Sequence, residues 1–117
     1  MIRVPLDPTP LSGTKATAIF FWDYGANDKF TIFVDGVPAG TLTTETPLKV
    51  TIDPGVHQLN TGSKLAIDRI YKQQFEAGKT YFFQIRFSAG YLYPGGAVID
   101  IAPVEPRESY TARSFRQ

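Results

Sequence analysis

The sequence predicts an all-β protein: a single β-sandwich of about seven short antiparallel strands, with extended N- and C-terminal arms. Three observations predict it. Runs rich in β-branched and aromatic residues alternate with period two, as in KFTIFV and TYFFQIRF. Clusters of turn residues punctuate these runs, among them Asp35-Gly36, Asp53-Pro54-Gly55 and Glu76-Ala77-Gly78-Lys79. No N-cap followed by a sustained apolar stripe supports a helix of useful length. The 117 residues fit one domain, which can bury roughly two-thirds of its unfolded surface without help from disulfides or metals.

Along the chain, residues 1–13 (MIRVPLDPTPLSG) carry Pro5, Pro8 and Pro10 and read as an extended arm. The sandwich is expected over 14–105 and a polar, slightly basic tail over 106–117. KATAIFFWDY puts Ala16, Ala18, Phe20 and Trp22 on one face and Thr17, Ile19 and Phe21 on the other, so both faces of this strand are expected to be covered. YGAND then supplies turn residues. In KFTIFV, Phe30, Ile32 and Val34 share a face, and Asp35-Gly36 marks a tight hairpin because both residues accept positive φ. VPAGTL is the return strand, and Pro38 places it at an edge or a bulge because proline cannot donate to a ladder. PLKVTI groups Leu48, Val50 and Ile52 opposite Lys49 and Thr51, and VHQLNT follows the Asp53-Pro54-Gly55 turn. Ile67, Ile70 and Tyr71 have helical spacing, but without a cap the stretch 65–75 reads as one strand. TYFFQIRF sets Tyr81, Phe83, Ile85 and Phe87 against Phe82, Gln84 and Arg86. SAGYLYPGG is a loop and AVIDIAPV a final strand.

Composition narrows the functions. With 12 Lys+Arg against 11 Asp+Glu, the net charge of +1 gives no long-range pull on phosphate, so no nucleic-acid partner is expected. The absence of cysteine removes thiolate catalysis, disulfides and cysteine-ligated metals. No run approaches the roughly 18 apolar residues of a membrane span. The proline-punctuated N-terminus does not read as a signal peptide; export would require a leader removed ahead of Met1.

Segments from the middle and later chain resemble known envelope modules. Val34-Asp35-Gly36, Gly40, Pro47-Leu48, Pro54-Gly55 and His57 are similar to the PEGA domains, surface-layer β-sandwich modules. Ala77-Gly78-Lys79-Thr80-Tyr81-Phe82 resembles a related bacterial envelope lipoprotein family of unknown function. There a "VDG…PG-x-H-x-L…AGKTY" progression spans most of the domain. The resemblance covers about residues 16–103. It implies a transthyretin-like or immunoglobulin-like sandwich, a non-catalytic role and a place in the bacterial cell envelope, in the periplasm or at the surface. The missing cysteine departs from the lipid-anchored members.

Candidate chemistry is sparse. His57 is the only histidine; Ser12, Ser63, Ser88, Ser109 and Ser114 sit in no nucleophile motif, and no second His or Cys completes a metal site. His57 therefore reads as structural. Asp23, Asn27 and Asp28 do not meet calcium-loop spacing and read as a hydrogen-bonded turn. No catalytic residue, cofactor or metal is expected. Binding is expected instead at Tyr91, Leu92 and Tyr93, in the Gly-flanked loop 88–96, and at Arg107, Tyr110, Arg113, Phe115 and Arg116 of the tail, residue types enriched at interfaces. Phe21, Phe33 and Phe82 lie opposite the main apolar rows and are either covered or form an exposed patch. The expected function is a structural or protein-interaction module, a subunit or accessory domain of a bacterial envelope or virion assembly. Its partner would be another protein or a further copy, met through loop 88–96 and the arms. A cell-wall glycan-binding module is the alternative, and a small hydrolase ranks last.

Overall fold

The computed structural model describes residues 3–5, 7–22, 29–43, 46–62, 67–68, 70–88, 98–104 and 111–113. Among them are eleven strands and no helix: β1 (Arg3–Pro5), β2 (Ala16–Phe21), β3 (Lys29–Val34), β4 (Val37–Thr43), β5 (Leu48–Ile52), β6 (Gly55–Asn60), β7 (Ile67–Asp68), β8 (Tyr71–Phe75), β9 (Thr80–Ser88), β10 (Val98–Val104) and β11 (Thr111–Arg113). A five-stranded sheet runs β5-β2-β9-β10-β7, a four-stranded sheet runs β4-β3-β6-β8, and β1 pairs with β11 alone.

The two larger sheets share one core. Ala18 and Phe20 of β2, Phe83 and Ile85 of β9 and Ile101 of β10 meet Ile32, Leu42, Leu59 and Phe75 of the opposing strands. Burial of these rows is the main force holding the sheets face to face, in a sandwich-like arrangement. Aromatic contacts give the core its shape: Phe20 stacks on Phe83 at 5.1 Å, and Phe75 meets Phe83 at 5.9 Å and Tyr81 at 4.9 Å, both edge-on.

The expectation of about seven antiparallel strands is corrected in number and direction. β2 pairs with β9 in parallel, Ile19 opposite Phe82, and β10 pairs with β7 in parallel. All six residues of β2 are buried. That fits a central strand covered on both faces, and the largely apolar run ATAIFF, interrupted by Thr17 alone, suits it. The single strand expected over 65–75 is instead β7 and β8, which belong to different sheets. AVIDIAPV becomes β10, but β11 follows it in the tail.

The turns follow their local chemistry. Asp35 and Gly36 both have positive φ, 52° and 81°, in the turn between β3 and β4. β4 is an edge strand, and its register with β3 shifts between Ile32 and Phe33, where Phe33 faces Pro38 and Ile32 faces Gly40. Pro38 thus sits at both an edge and a bulge, where its missing N–H costs least.

The outer face of the five-stranded sheet carries a second, smaller core of Ile19, Phe21 and Phe82, with Val104 packed against it. Phe21 and Phe82 are buried and Phe33 is half-buried against Gly62, so these aromatics do not form an exposed patch. Beside this cluster the N-terminal segment crosses the sheet. Lys49 Nζ donates to the Asp7 carbonyl at 2.8 Å, Thr80 Oγ1 donates to the Pro8 carbonyl at 2.9 Å, and the Leu11 amide donates to Thr17 Oγ1 at 2.8 Å. Thr17 and Thr80 are register partners, so a polar row lies ready beneath a proline-containing segment that cannot form a full ladder of its own. Thr17→Val should therefore release the arm more than it unfolds the protein. Exchange of the Leu11 amide should accelerate while global stability falls by only about 1 kcal/mol. Unchanged exchange at Leu11 in the variant would show that Thr17 does not hold the arm.

Candidate functional site

Three places could carry function: the paired chain ends, a cleft beside β9, and the turn cluster around His57. The chain ends meet as a two-stranded antiparallel ribbon, Arg3 opposite Arg113, Val4 opposite Ala112 and Pro5 opposite Thr111. This ribbon belongs to neither larger sheet. Of the residues expected to bind a partner, only Arg113 is placed, by its backbone, in β11. Tyr91, Leu92, Tyr93, Arg107, Tyr110, Phe115 and Arg116 lie outside the described residues, as do Asp23, Asn27 and Asp28.

The cleft has a volume of about 300 Å³ and opens between Gln73 of β8, Tyr81 and Phe83 of β9 and Pro103 of β10. Several of its polar groups have partners within the protein. Tyr71 donates to Gln73 Oε1 at 3.3 Å, Gln73 Nε2 donates to the Gln74 carbonyl at 2.7 Å, and the Tyr81 hydroxyl accepts the Glu76 amide at 2.9 Å. Lys79, on its rim, pairs with Glu76 at 3.1 Å.

The His57 cluster joins two turns. His57 lies on β6, directly after the Asp53-Pro54-Gly55 turn, and its ring points toward the β3–β4 turn. Nδ1 meets Asp35 Oδ2 at 2.5 Å, and Nε2 meets the backbone carbonyl of Asp53 at 2.8 Å. The other Asp35 oxygen accepts the Gln58 amide at 2.9 Å, and the Asp35 amide donates to the Gln58 carbonyl at 2.8 Å. Asp35 thus uses its carboxylate and its own amide to hold the turn against β6. The hydrogen bond to Asp35 raises the His57 pKa above its usual 6.5, against a smaller opposing effect of burial. The same bond, with help from the Gln58 amide, lowers the Asp35 pKa below 3.8. The sequence singled out His57 as structural. It did not single out Asp35 as its partner, 22 residues earlier, although both flank turns with strong local signals.

Among the described residues no group of three or more His, Cys, Asp or Glu could hold a metal ion. No helix of the described residues is long and apolar enough to cross a membrane. No protein-family model matches the chain, and no curated protein matches it.

Proposed function

We propose that this protein is a non-catalytic structural or protein-interaction module, a subunit or accessory domain of a bacterial envelope or virion assembly. The observation that carries this reading is the β1–β11 ribbon, which brings the two chain ends together outside both larger sheets. A two-stranded ribbon is marginal alone in water, and its outer edges offer backbone donors and acceptors to a further strand. Such an element gains stability when a neighbour covers it. Arg113 belongs to its second strand, and Arg107, Tyr110, Phe115 and Arg116, near it in the sequence, are of residue types enriched at interfaces.

The engagement of His57 supports the non-catalytic part of the reading. Both ring nitrogens are held by acceptors from its own turns, so neither is poised over a nucleophile. The turn pattern supports a PEGA-like affiliation and a transthyretin-like or immunoglobulin-like topology. Asp35-Gly36, Pro54-Gly55 and Ala77-Gly78 each join consecutive strands, in the order the resemblance implies.

Sedimentation equilibrium over a wide concentration range tests the proposal. The full chain is expected to rise above its 13.0 kDa monomer mass. Arg113→Glu, at the ribbon, is expected to shift it back toward monomer with unchanged circular dichroism. A chain that stays monomeric throughout, with no partner captured by crosslinking, would sink the reading.

A further inference from the structure

In the four-stranded sheet β3 pairs with β4 over Lys29 to Val34, and β6 pairs with β8 over Gly55 to Leu59, while among the described residues β3 meets β6 at Phe33–Asn60 and Val34–Leu59. Beyond that ladder, the Asp35 carboxylate and amide carry the join onward to His57 and Gln58.

We infer that His57 is a pH-sensitive clasp on this join: its doubly protonated ring ties the β3–β4 hairpin and the β5–β6 turn together, and loss of one proton lets one of them go. The geometry requires it. An ionised carboxylate and a backbone carbonyl can only accept, so both ring nitrogens must donate. A neutral imidazole has one N–H and one lone pair, and either tautomer sets that lone pair against an acceptor, at Asp35 Oδ2 or at the Asp53 carbonyl. The shared proton belongs on the ring, because histidine's ordinary value of 6.5 lies well above aspartate's 3.8.

The charged groups on the elements packed around the ring form ion pairs of their own. From the β5–β6 turn, the Asp53 carboxylate pairs with Lys15, which precedes β2, at 3.2 Å. From β8, the Phe75 ring lies 6.0 Å from the His57 ring, and Gln73 is its register partner. From β9, Tyr81 packs on Phe75, and beyond it Glu76 pairs with Lys79.

The two members of the clasp set its window. The His57 value is raised on folding, so its contribution is complete below 6.5 and disappears as pH rises through the folded value. The Asp35 value is lowered on folding, so its contribution is complete above 3.8 and disappears as pH falls through the folded value. The clasp is closed between these limits and opens on the alkaline side first, nearest neutrality. This inference stands apart from the assembly reading, since it concerns a join within one chain.

Because the chain has a single histidine, its imidazole resonances can be followed without ambiguity in the full-length protein. The expected result is two ring N–H signals at about pH 6 and a titration midpoint above 6.5. The Asp35 and Gln58 amides should exchange faster, relative to intrinsic rates, once that midpoint is passed. His57→Gln, which has a single donor nitrogen and so cannot donate toward both sides, should show the faster exchange at all pH values and no step. A midpoint at or below 6.5, or protection at Asp35 and Gln58 that ignores the titration in the wild-type chain, would overturn the inference.

Discussion

Phe83→Ala is expected to lower the unfolding free energy by about 3–5 kcal/mol. Phe83 is fully buried on β9 and touches aromatic rings from both sheets: Phe20 at 5.1 Å, Phe75 at 5.9 Å and Tyr71 at 6.3 Å. Removing it opens a cavity where the sheets meet, and β2, β8 and β10 cannot all move to fill the gap. Domains of this size have a total stability of only about 5–15 kcal/mol, so the variant should sit near the edge of folding. Urea unfolding gives the measurement, with Val56→Ala as the control. Val56 is 60% exposed on β6, and its truncation should change stability by less than about 0.5 kcal/mol. Phe83→Leu should recover part of the loss. A Phe83→Ala variant within about 1 kcal/mol of the wild type would mean that Phe83 does not join the two sheets.

Phe82→Ala is expected to cost about 3 kcal/mol, although the residue faces away from the main core. Its neighbours on the outer face are Ile19 and Phe21, and all three are buried. An aromatic exposed to a partner would lose little stability on truncation and would show its effect in binding instead. A core aromatic shows the reverse. The same unfolding experiment decides the matter: a loss below about 1 kcal/mol would make the outer face a contact surface, not a second core. Thr17 and Thr80 adjoin this cluster and hold the N-terminal segment, so Phe82→Ala should also speed exchange at the Leu11 amide.

Some of the fold was legible residue by residue. The alternation in TYFFQIRF sorted Phe83 and Ile85 into one core and Phe82 into the other, because side-chain direction in a strand depends only on parity. Asp35-Gly36 announced its positive-φ turn, and Pro38 its edge and bulge, because φ limits and a missing donor are properties of single residues. Apolar residues on both parities of 16–21 announced a strand covered on both sides.

Other features were beyond the sequence. No local signal says that β2 lies parallel to β9, or that β7 and β8 part into different sheets, because strand pairing is settled by which apolar faces can be buried together. The site depended on the same step. His57 could be marked as the lone histidine, but its charge state rests on Asp35 and on the Asp53 carbonyl, which two turns deliver to opposite sides of one ring. Likewise Lys49 reaches Asp7 across 42 residues only because the five-stranded sheet presents it beneath the N-terminal segment. The sequence by itself determined strand texture, turn positions and the lack of cysteine chemistry, all of which are local or compositional. Only the tertiary structure decided which strands are neighbours, what covers the outer aromatics and which acceptors meet the two nitrogens of His57, since each depends on groups brought together from distant parts of the chain.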